Sequence, residues 1–211
     1  MRSFFLIALV VHSFNFFAQS DSIATQKTQT RKGWFSLGVR TTANVFSDDG
    51  FGVGAGGQFR VQLSNRVNTD WFADYIAVQK DNIARSEYAH IGWSVLFYPV
   101  KKLQYPTYKA QPFLLAGHCF DYNKKTIMAQ PSISKSRWGA AVQMGAGSHF
   151  YLSERFDVTL MLQYMIHLTK ELEVEGNEGN YEISTKKPSA LEGHLLCTVS
   201  LNYKIVRLWK K

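Results

Sequence analysis

Three histidines could bind a transition metal if the fold brought them together. His90, His167 and His194 each fall on the polar side of an alternating stretch, and Glu171 and Glu192 lie near two of them in the sequence. Imidazole and carboxylate groups suit zinc or copper. No short motif fixes their spacing, and polar filling of a protein interior explains the three histidines equally well. The sequence therefore predicts no cofactor, and His167 and His194 are the candidates should a metal bind.

A serine and a histidine that adjoin in the sequence raise the question of nucleophilic catalysis. Ser148 and His149 could supply a nucleophile and its base, as an enzyme acting on lipid A or phospholipids would need. Neighbouring residues of a strand point to opposite faces, so in a strand these two side chains would not meet. We therefore expect no catalytic residues, and a lipid-modifying enzyme is kept as an alternative function.

The stretch FGVGAGGQFRVQL, residues 51–63, holds enough glycine to suggest a phosphate-binding loop. Such a loop needs a Lys-Ser/Thr pair and a following helix, and neither follows here. A period of two runs through the stretch instead, with Val53, Phe59 and Val61 on one side and Gln58 and Arg60 on the other. This pattern predicts a strand with one apolar face and one small or polar face.

The same alternation recurs along most of the chain and defines eight predicted strands. Their approximate ranges are 35–45, 51–63, 67–78, 88–98, 111–122, 137–151, 156–168 and 191–203. Soluble strands average about five or six residues, whereas about nine to eleven tilted residues cross a bilayer. Most of the predicted strands are long enough to cross. The sequence thus predicts an all-β fold, a closed antiparallel eight-stranded transmembrane β-barrel with its apolar face in lipid.

Four charged residues fall on the polar face of the first three predicted strands. They are Arg40, Arg60, Asp70 and Asp74. An isolated buried charge costs several kcal/mol, so we expect the four to form an interior ion-pair network with a structural role. A proton or ion path is the functional alternative, and the narrow interior of an eight-stranded barrel argues against it.

The N-terminus has the pattern of a secretory signal peptide. Arg2 precedes an apolar run up to Val11, and Phe17-Ala18-Gln19 offers a cleavage point after Ala18. We expect a signal peptide at 1–18, a flexible periplasmic leader at 19–32, the barrel at 33–205 and a short tail at 206–211. The formal charge of +8 would suggest nucleic acid for an intracellular protein. An exported chain rarely meets nucleic acid, so we exclude that partner.

The sequence resembles the small outer-membrane β-barrel family of Gram-negative bacteria, the OmpA-transmembrane-like group common in Bacteroidota. The resemblance covers about residues 33–205. It lies in Phe17-Ala18-Gln19, the Gly-rich alternating strands, Pro112-Phe113 and the closing Ser200-Leu201-Asn202-Tyr203-Lys204. It implies a place in the outer membrane, with lipid, lipopolysaccharide and other envelope proteins as partners. Such chains often end at an aromatic residue of the last strand, whereas this one continues to Lys211.

The function predicted from these features is a non-enzymatic structural or interaction role, as a scaffold for surface loops or a subunit of an envelope complex. A narrow pore and a soluble lipocalin-like binder are alternatives beside the lipid-modifying enzyme. Long loops carry function on rigid scaffolds, and the longest connection here is 170–190. Its alternation predicts a hairpin with residues 176–180 at the tip. Cys119 and Cys197, on strands that are not neighbours, are expected to be free thiols that face lipid.

Overall fold

The computed structural model describes residues 32–47, 50–80, 83–100, 109–177, 180–186 and 193–209. The predicted signal peptide and almost all of the predicted leader lie outside these ranges. The strands are β1 Trp34–Ser47, β2 Gly50–Gln62, β3 Val67–Lys80, β4 Ala84–Phe97, β5 Ala110–Ile127, β6 Ser134–Tyr151, β7 Phe156–His167, β8 Glu171–Asn177, β9 Asn180–Lys186 and β10 Gly193–Arg207. Within the described ranges, no helix has the length and apolarity needed to cross a membrane.

Eight of the strands form one closed antiparallel barrel, in the order β1-β10-β7-β6-β5-β4-β3-β2. Consecutive barrel strands are neighbours, and β1 closes the ring on β10 through pairs such as Val39 with Leu201. Closure satisfies the backbone hydrogen bonds that an open sheet would leave at its edges. The predicted fold class is confirmed, and β8 and β9 form a separate two-stranded sheet.

The two faces of the barrel wall have opposite polarity. On β2, Gln58 and Arg60 are each 5% exposed while Phe59 between them is 39% exposed; on β7, Gln163 is 2% exposed and Leu162 is 51% exposed. The polar parity therefore points inward and the apolar parity outward, as the sequence predicted. A soluble binder of the lipocalin type would place its apolar parity inside. An apolar outer wall of this extent is a surface made for lipid rather than water.

The structure settles the register of β5, which the sequence left open. Phe113, Cys119 and Asp121 point inward, while Leu114 and Phe120 point outward. The expectation that Cys119 faces lipid is therefore wrong. The apolar residues of β5 fit either face of the barrel wall. The polar residues that follow them determine the register of the strand, because the barrel interior surrounds these polar residues with polar partners. Cys119 is fully buried against the Met165 sulfur at 3.8 Å, and both cysteines are free thiols.

The last barrel strand is longer than expected. Val206 and Arg207, assigned to the tail by the sequence, pair with Phe35 and Trp34 at the start of β1. A register shift between Phe35 and Ser36 admits the extra residue, and the Arg207 guanidinium lies over the Trp34 ring at 5.2 Å. This cation–π contact accounts for the ordered end of the strand.

The predicted hairpin in the connection between β7 and β10 is confirmed. Residues of β8 and β9 pair from Glu171 with Lys186 to Asn177 with Asn180. The hairpin is a sheet of its own rather than a direct extension of the flanking barrel strands. Leu172 is 3% exposed, and the Lys135 ammonium on β6 donates a hydrogen bond to the Thr185 hydroxyl at 3.1 Å. The hairpin thus packs against the long β5–β6 pair.

A charge on the outer wall should destabilise the barrel in lipid. Leu162 lies at the middle of β7 with its side chain outward, so Leu162→Arg should cost about 2–4 kcal/mol of folding free energy in a bilayer. Leu152→Arg is the matched control, because Leu152 is exposed in the turn before β7. Denaturant unfolding from lipid vesicles measures both. Equal stability of the two variants would contradict an outward lipid face.

The tip of the hairpin should be dispensable for the barrel. Deleting residues 176–180 removes the tip of the hairpin. Strands β8 and β9 pair with each other and not with a barrel strand. We expect the boiled and unboiled protein to keep different mobilities on gels, since loop changes cost little and the closed barrel is intact. Deleting 198–202 from β10 is the control that should abolish this difference. Loss of assembly in the tip deletion would show that the hairpin belongs to the barrel core.

Candidate functional site

Arg40 reaches an acidic partner two strands away across a glycine. Arg40 of β1 is opposite Gly56 of β2, which is opposite Asp74 of β3. A Cβ atom on Gly56 would collide with the Asp74 carboxylate and the Ala73 carbonyl, so only glycine leaves the space. The Arg40 Nε lies 2.9 Å from Asp74 Oδ1, and both side chains are almost completely buried. The Gly-rich stretch thus makes room for an ion pair inside the barrel.

The Arg40–Asp74 pair has further partners on the inner wall. The Thr42 hydroxyl donates to Asp74 Oδ2 at 3.4 Å and lies 3.0 Å from the Thr198 hydroxyl. The Arg40 guanidinium also lies over the Phe72 ring at 4.5 Å. The ion pair therefore joins β1, β3 and β10, which surround one side of the interior.

A second carboxylate continues the same row and holds two histidines. Asp121 of β5 is opposite His90 of β4, which is opposite Asp74. The His90 Nε2 lies 3.3 Å from Asp121 Oδ1, and the His167 Nδ1 lies 2.8 Å from Asp121 Oδ2. The His167 and His194 rings meet edge to face, with centroids 4.6 Å apart. We call His90, Asp121, His167 and His194 the histidine cluster.

The histidine cluster brings together His167 and His194, the two candidate metal ligands, but its side chains are not arranged to bind one metal ion. Asp121 lies between two imidazoles and gives one oxygen to each, and His167 and His194 pack ring against ring. Among the residues that the structure describes, no group of three or more histidine, cysteine or acidic side chains has an arrangement that could hold a metal ion. Glu192 lies outside the described ranges. The geometry is that of polar filling held by close carboxylate–imidazole contacts.

Arg60 forms the centre of a second buried cluster, nearer the end of the barrel where β1 begins. Its Nη1 lies 3.1 Å from Asp157 Oδ1 and its Nη2 lies 3.7 Å from Asp70 Oδ2. The sequence grouped Arg60 with Asp70, but the closer acid is Asp157 on β7. Strands β2 and β7 are not neighbours in the ring, so this contact crosses the interior. The Arg60 Nη2 also donates to the Thr159 hydroxyl at 3.3 Å.

His149 extends this second cluster through both ring nitrogens. Its Nδ1 lies 2.7 Å from the Thr159 hydroxyl, and its Nε2 lies 3.0 Å from the Tyr98 hydroxyl. Tyr98 in turn accepts a hydrogen bond from the Asn68 amide at 3.0 Å. We call Arg60, Asp70, Asp157, Thr159, His149 and Tyr98 the Arg60 cluster. It links β2, β3, β6 and β7 with the residue that follows β4.

The residue types of the Arg60 cluster could in principle support acid–base chemistry, but its position does not. Thr159, His149 and Asp157 are each at most 2% exposed, so a substrate cannot reach them. Ser148 is on the opposite face of β6 from His149, and its hydroxyl contacts only the His149 backbone oxygen, at 3.5 Å, among the hydrogen bonds of the described residues. The serine and histidine do not form a dyad, as expected from strand geometry.

Among the acidic and histidine members of these clusters, three were not assigned to a site from the sequence: Asp121, Asp157 and His149. Asp121 follows an apolar run whose register was undecided, so its direction was unknown. Asp157 lies on the inward side of the predicted seventh strand, so its direction could be predicted from the sequence. The alternation along a strand does not show which residue across the ring an inward side chain contacts. His149 was considered only with Ser148. Counting inward acids against inward arginines would have drawn attention to Asp157.

No protein-family model and no curated protein sequence matches the chain. Solved structures do match. The Neisserial surface protein A superposes with a TM-score of 0.55 at 11% identity, over 82% of this chain and 98% of that one. A major outer membrane protein from Thermus thermophilus gives 0.53 at 10% identity, over 81% and 99%. OprG of Pseudomonas aeruginosa gives 0.51 at 12% identity, over 82% and 96%. At these identities the likeness concerns the fold, which is that of a small outer-membrane β-barrel.

Proposed function

We propose that the chain is a non-enzymatic outer-membrane protein whose barrel anchors a β-structured recognition surface outside the membrane. The apolar outer wall and the fold shared with outer-membrane barrels support the membrane location. The predicted signal peptide, cleaved near Ala18, would direct export to the envelope of a Gram-negative bacterium of the Bacteroidota type. Lipid and lipopolysaccharide would surround the wall, and other envelope proteins would meet the exposed β-structure.

The observation that carries this proposal is the uneven height of the barrel wall. Strands β5 and β6 have 18 residues each, whereas β7 has 12. About nine to eleven residues per strand cross a bilayer, so the distal part of the β5–β6 pair projects beyond it. The β8–β9 hairpin packs against that projection through Leu172 and the Lys135–Thr185 hydrogen bond. Together they form a rigid extension on one side only.

The projecting surface offers contacts of mixed chemistry. The outward face of the hairpin bears Glu173, Glu175 and Glu182, and Lys186 pairs with Glu173 at 3.3 Å. Lys124 and Trp138 lie on the outer face of the extended β5–β6 pair, where Trp138 is 65% exposed. Aromatic and charged side chains on a rigid sheet are suited to binding another macromolecule.

We further propose that the interior network of Arg40, Arg60, Asp70 and Asp74 is structural rather than a conduction path. Arg60 contacts acids on β3 and on β7, so it ties opposite walls together, whereas Arg40 ties β1 to β3 on one side of the interior. Apolar groups such as Leu96, Phe113 and Met161 form a buried cluster inside the same barrel. Such an interior holds the barrel rigid beneath the surface it carries.

The orientation should be measurable by labelling cysteines in intact cells. An even number of barrel strands places the start of β1 and the end of β10 at the same end of the barrel, and the longest connection, between β7 and β10, lies at the other end. Outer-membrane barrels carry their longer loops outside, so the end with the start of β1 should face the periplasm. A cysteine replacing Glu175 in the hairpin should react with a membrane-impermeant maleimide on whole cells. A cysteine replacing Glu154 in the β6–β7 turn should react only after the outer membrane is permeabilised. The reverse pattern, or equal labelling, would reject the proposed surface role.

The structural role of the interior predicts a large difference between two arginine substitutions. Arg60→Met leaves the buried Asp70 and Asp157 without their cation, which should cost about 3–5 kcal/mol of unfolding free energy. Arg85→Met is the control, because Arg85 pairs with Glu87 at 2.9 Å with more than half of its side chain exposed, and such pairs contribute about 1 kcal/mol or less. Urea unfolding from vesicles compares them. Equal losses would contradict the proposed role of Arg60.

A further inference from the structure

The end of the barrel where β1 begins and β10 ends has a charge composition of its own. The start of β1, the connections β2–β3, β4–β5 and β6–β7, and the end of β10 all meet there, because the strands alternate in direction. Its described basic residues are Lys32, Arg66, Lys109, Arg155, Lys204 and Arg207, and its exposed acidic residue is Glu154. Asp157 nearby is buried and faces Arg60 inside the barrel. We call the six basic residues the basic collar.

The opposite end has a smaller excess of positive charge. Its described basic residues are Lys80, Arg85, Lys124, Lys125, Lys135, Arg137, Lys170 and Lys186, and its described acidic residues are Glu87, Glu171, Glu173, Glu175 and Glu182. Two of these basic residues form ion pairs with two of the acids. Within the described ranges, the two ends therefore differ in charge balance rather than in the number of basic residues.

The basic collar is placed at the height where a membrane protein meets lipid head groups. The Arg155 guanidinium donates to the Tyr203 hydroxyl at 3.2 Å, and the Tyr203 ring packs on Phe156 at 4.7 Å on the outer wall. Aromatic residues at the ends of barrel strands mark the membrane–water interface. Arg155 and Lys109 are exposed beside this belt, and Lys32 is exposed just before β1. Their charges are thus presented to whatever lies at the interface.

We propose that the basic collar binds the head groups of anionic phospholipids in the leaflet that surrounds this end of the barrel. Phosphodiester head groups carry the complementary charge, and arginine is shaped to bind phosphate oxygens with two N–H groups. One basic residue beside one anionic head group strengthens the association of that lipid by about fivefold. The binding fixes the depth and the direction of the barrel in the bilayer. This proposal rests on the membrane location proposed above. It does not depend on the hairpin or on a partner at the surface.

Titration of lipids onto the purified, folded, full-length protein tests this proposal. Dioleoyl phosphatidylglycerol and dioleoyl phosphatidylcholine are added separately in a non-ionic detergent, and native mass spectrometry gives an association constant for each. We expect phosphatidylglycerol to bind about fivefold more tightly to the wild-type protein at low salt. Raising the ionic strength from about 0.02 M to about 0.5 M should remove this preference, because screening weakens exposed charges.

Two triple variants with equal losses of charge locate the effect. Replacing Lys32, Lys109 and Arg155 by glutamine should make the two lipids bind almost equally. Replacing Lys80, Arg85 and Lys170 by glutamine at the other end should leave the preference unchanged. All six side chains are exposed, and the gel mobilities of boiled and unboiled samples verify that each variant is folded.

The proposal is overturned by equal binding of the two lipids to the wild-type protein, by a preference that persists in the first variant, or by an equal loss in both variants. These outcomes are separate from a failure of the proposed surface role, because the lipid titration does not involve the hairpin. A protein that is not a membrane protein would reveal itself differently, by binding neither lipid.

Discussion

The interior of an eight-stranded barrel is too narrow for a water-filled channel and too wide to remain empty, so side chains must fill it. Because the apolar residues face outward, the filling is largely polar, and each enclosed charge needs a partner inside the ring. Arg40 with Asp74 and Arg60 with Asp70 and Asp157 meet this requirement. The positions of the inward glycines, the crossing of Arg60 to β7 and the burial of His149 all follow from it.

The parity of the strands could be predicted because it is a local property. A period of two along β2 or β7 assigns each side chain to one of two faces, and the physical chemistry of a membrane wall decides which face is outside. The hairpin could likewise be predicted, from the alternation of polar and apolar residues in its two strands and from the glycines and asparagines at its tip. The register of β5 could not be predicted, because residues 113–120 place apolar side chains on both faces. The polar residues from Asp121 to Lys125 resolve it only once the ring is closed.

The partners inside the barrel could not be predicted, because they depend on distances across the ring. The sequence placed Arg60 and Asp70 on one face, and neighbouring strands do bring them near each other. The shorter contact to Asp157 joins residues 97 positions apart on strands that never touch. Which inward groups meet across the interior depends on the stagger of the whole ring, which no single strand encodes.

The pairing of β1 with β10 has a consequence for the way this chain can fold. Trp34 and Arg207 lie at opposite ends of the barrel sequence, so the ring cannot close until the last strand has arrived. Until then both of these strands carry unpaired backbone groups, which can pair with other chains. Contacts between residues so far apart also form slowly. The time before closure, while the first and last barrel strands remain unpaired, is therefore the period in which the chain is most vulnerable to aggregation.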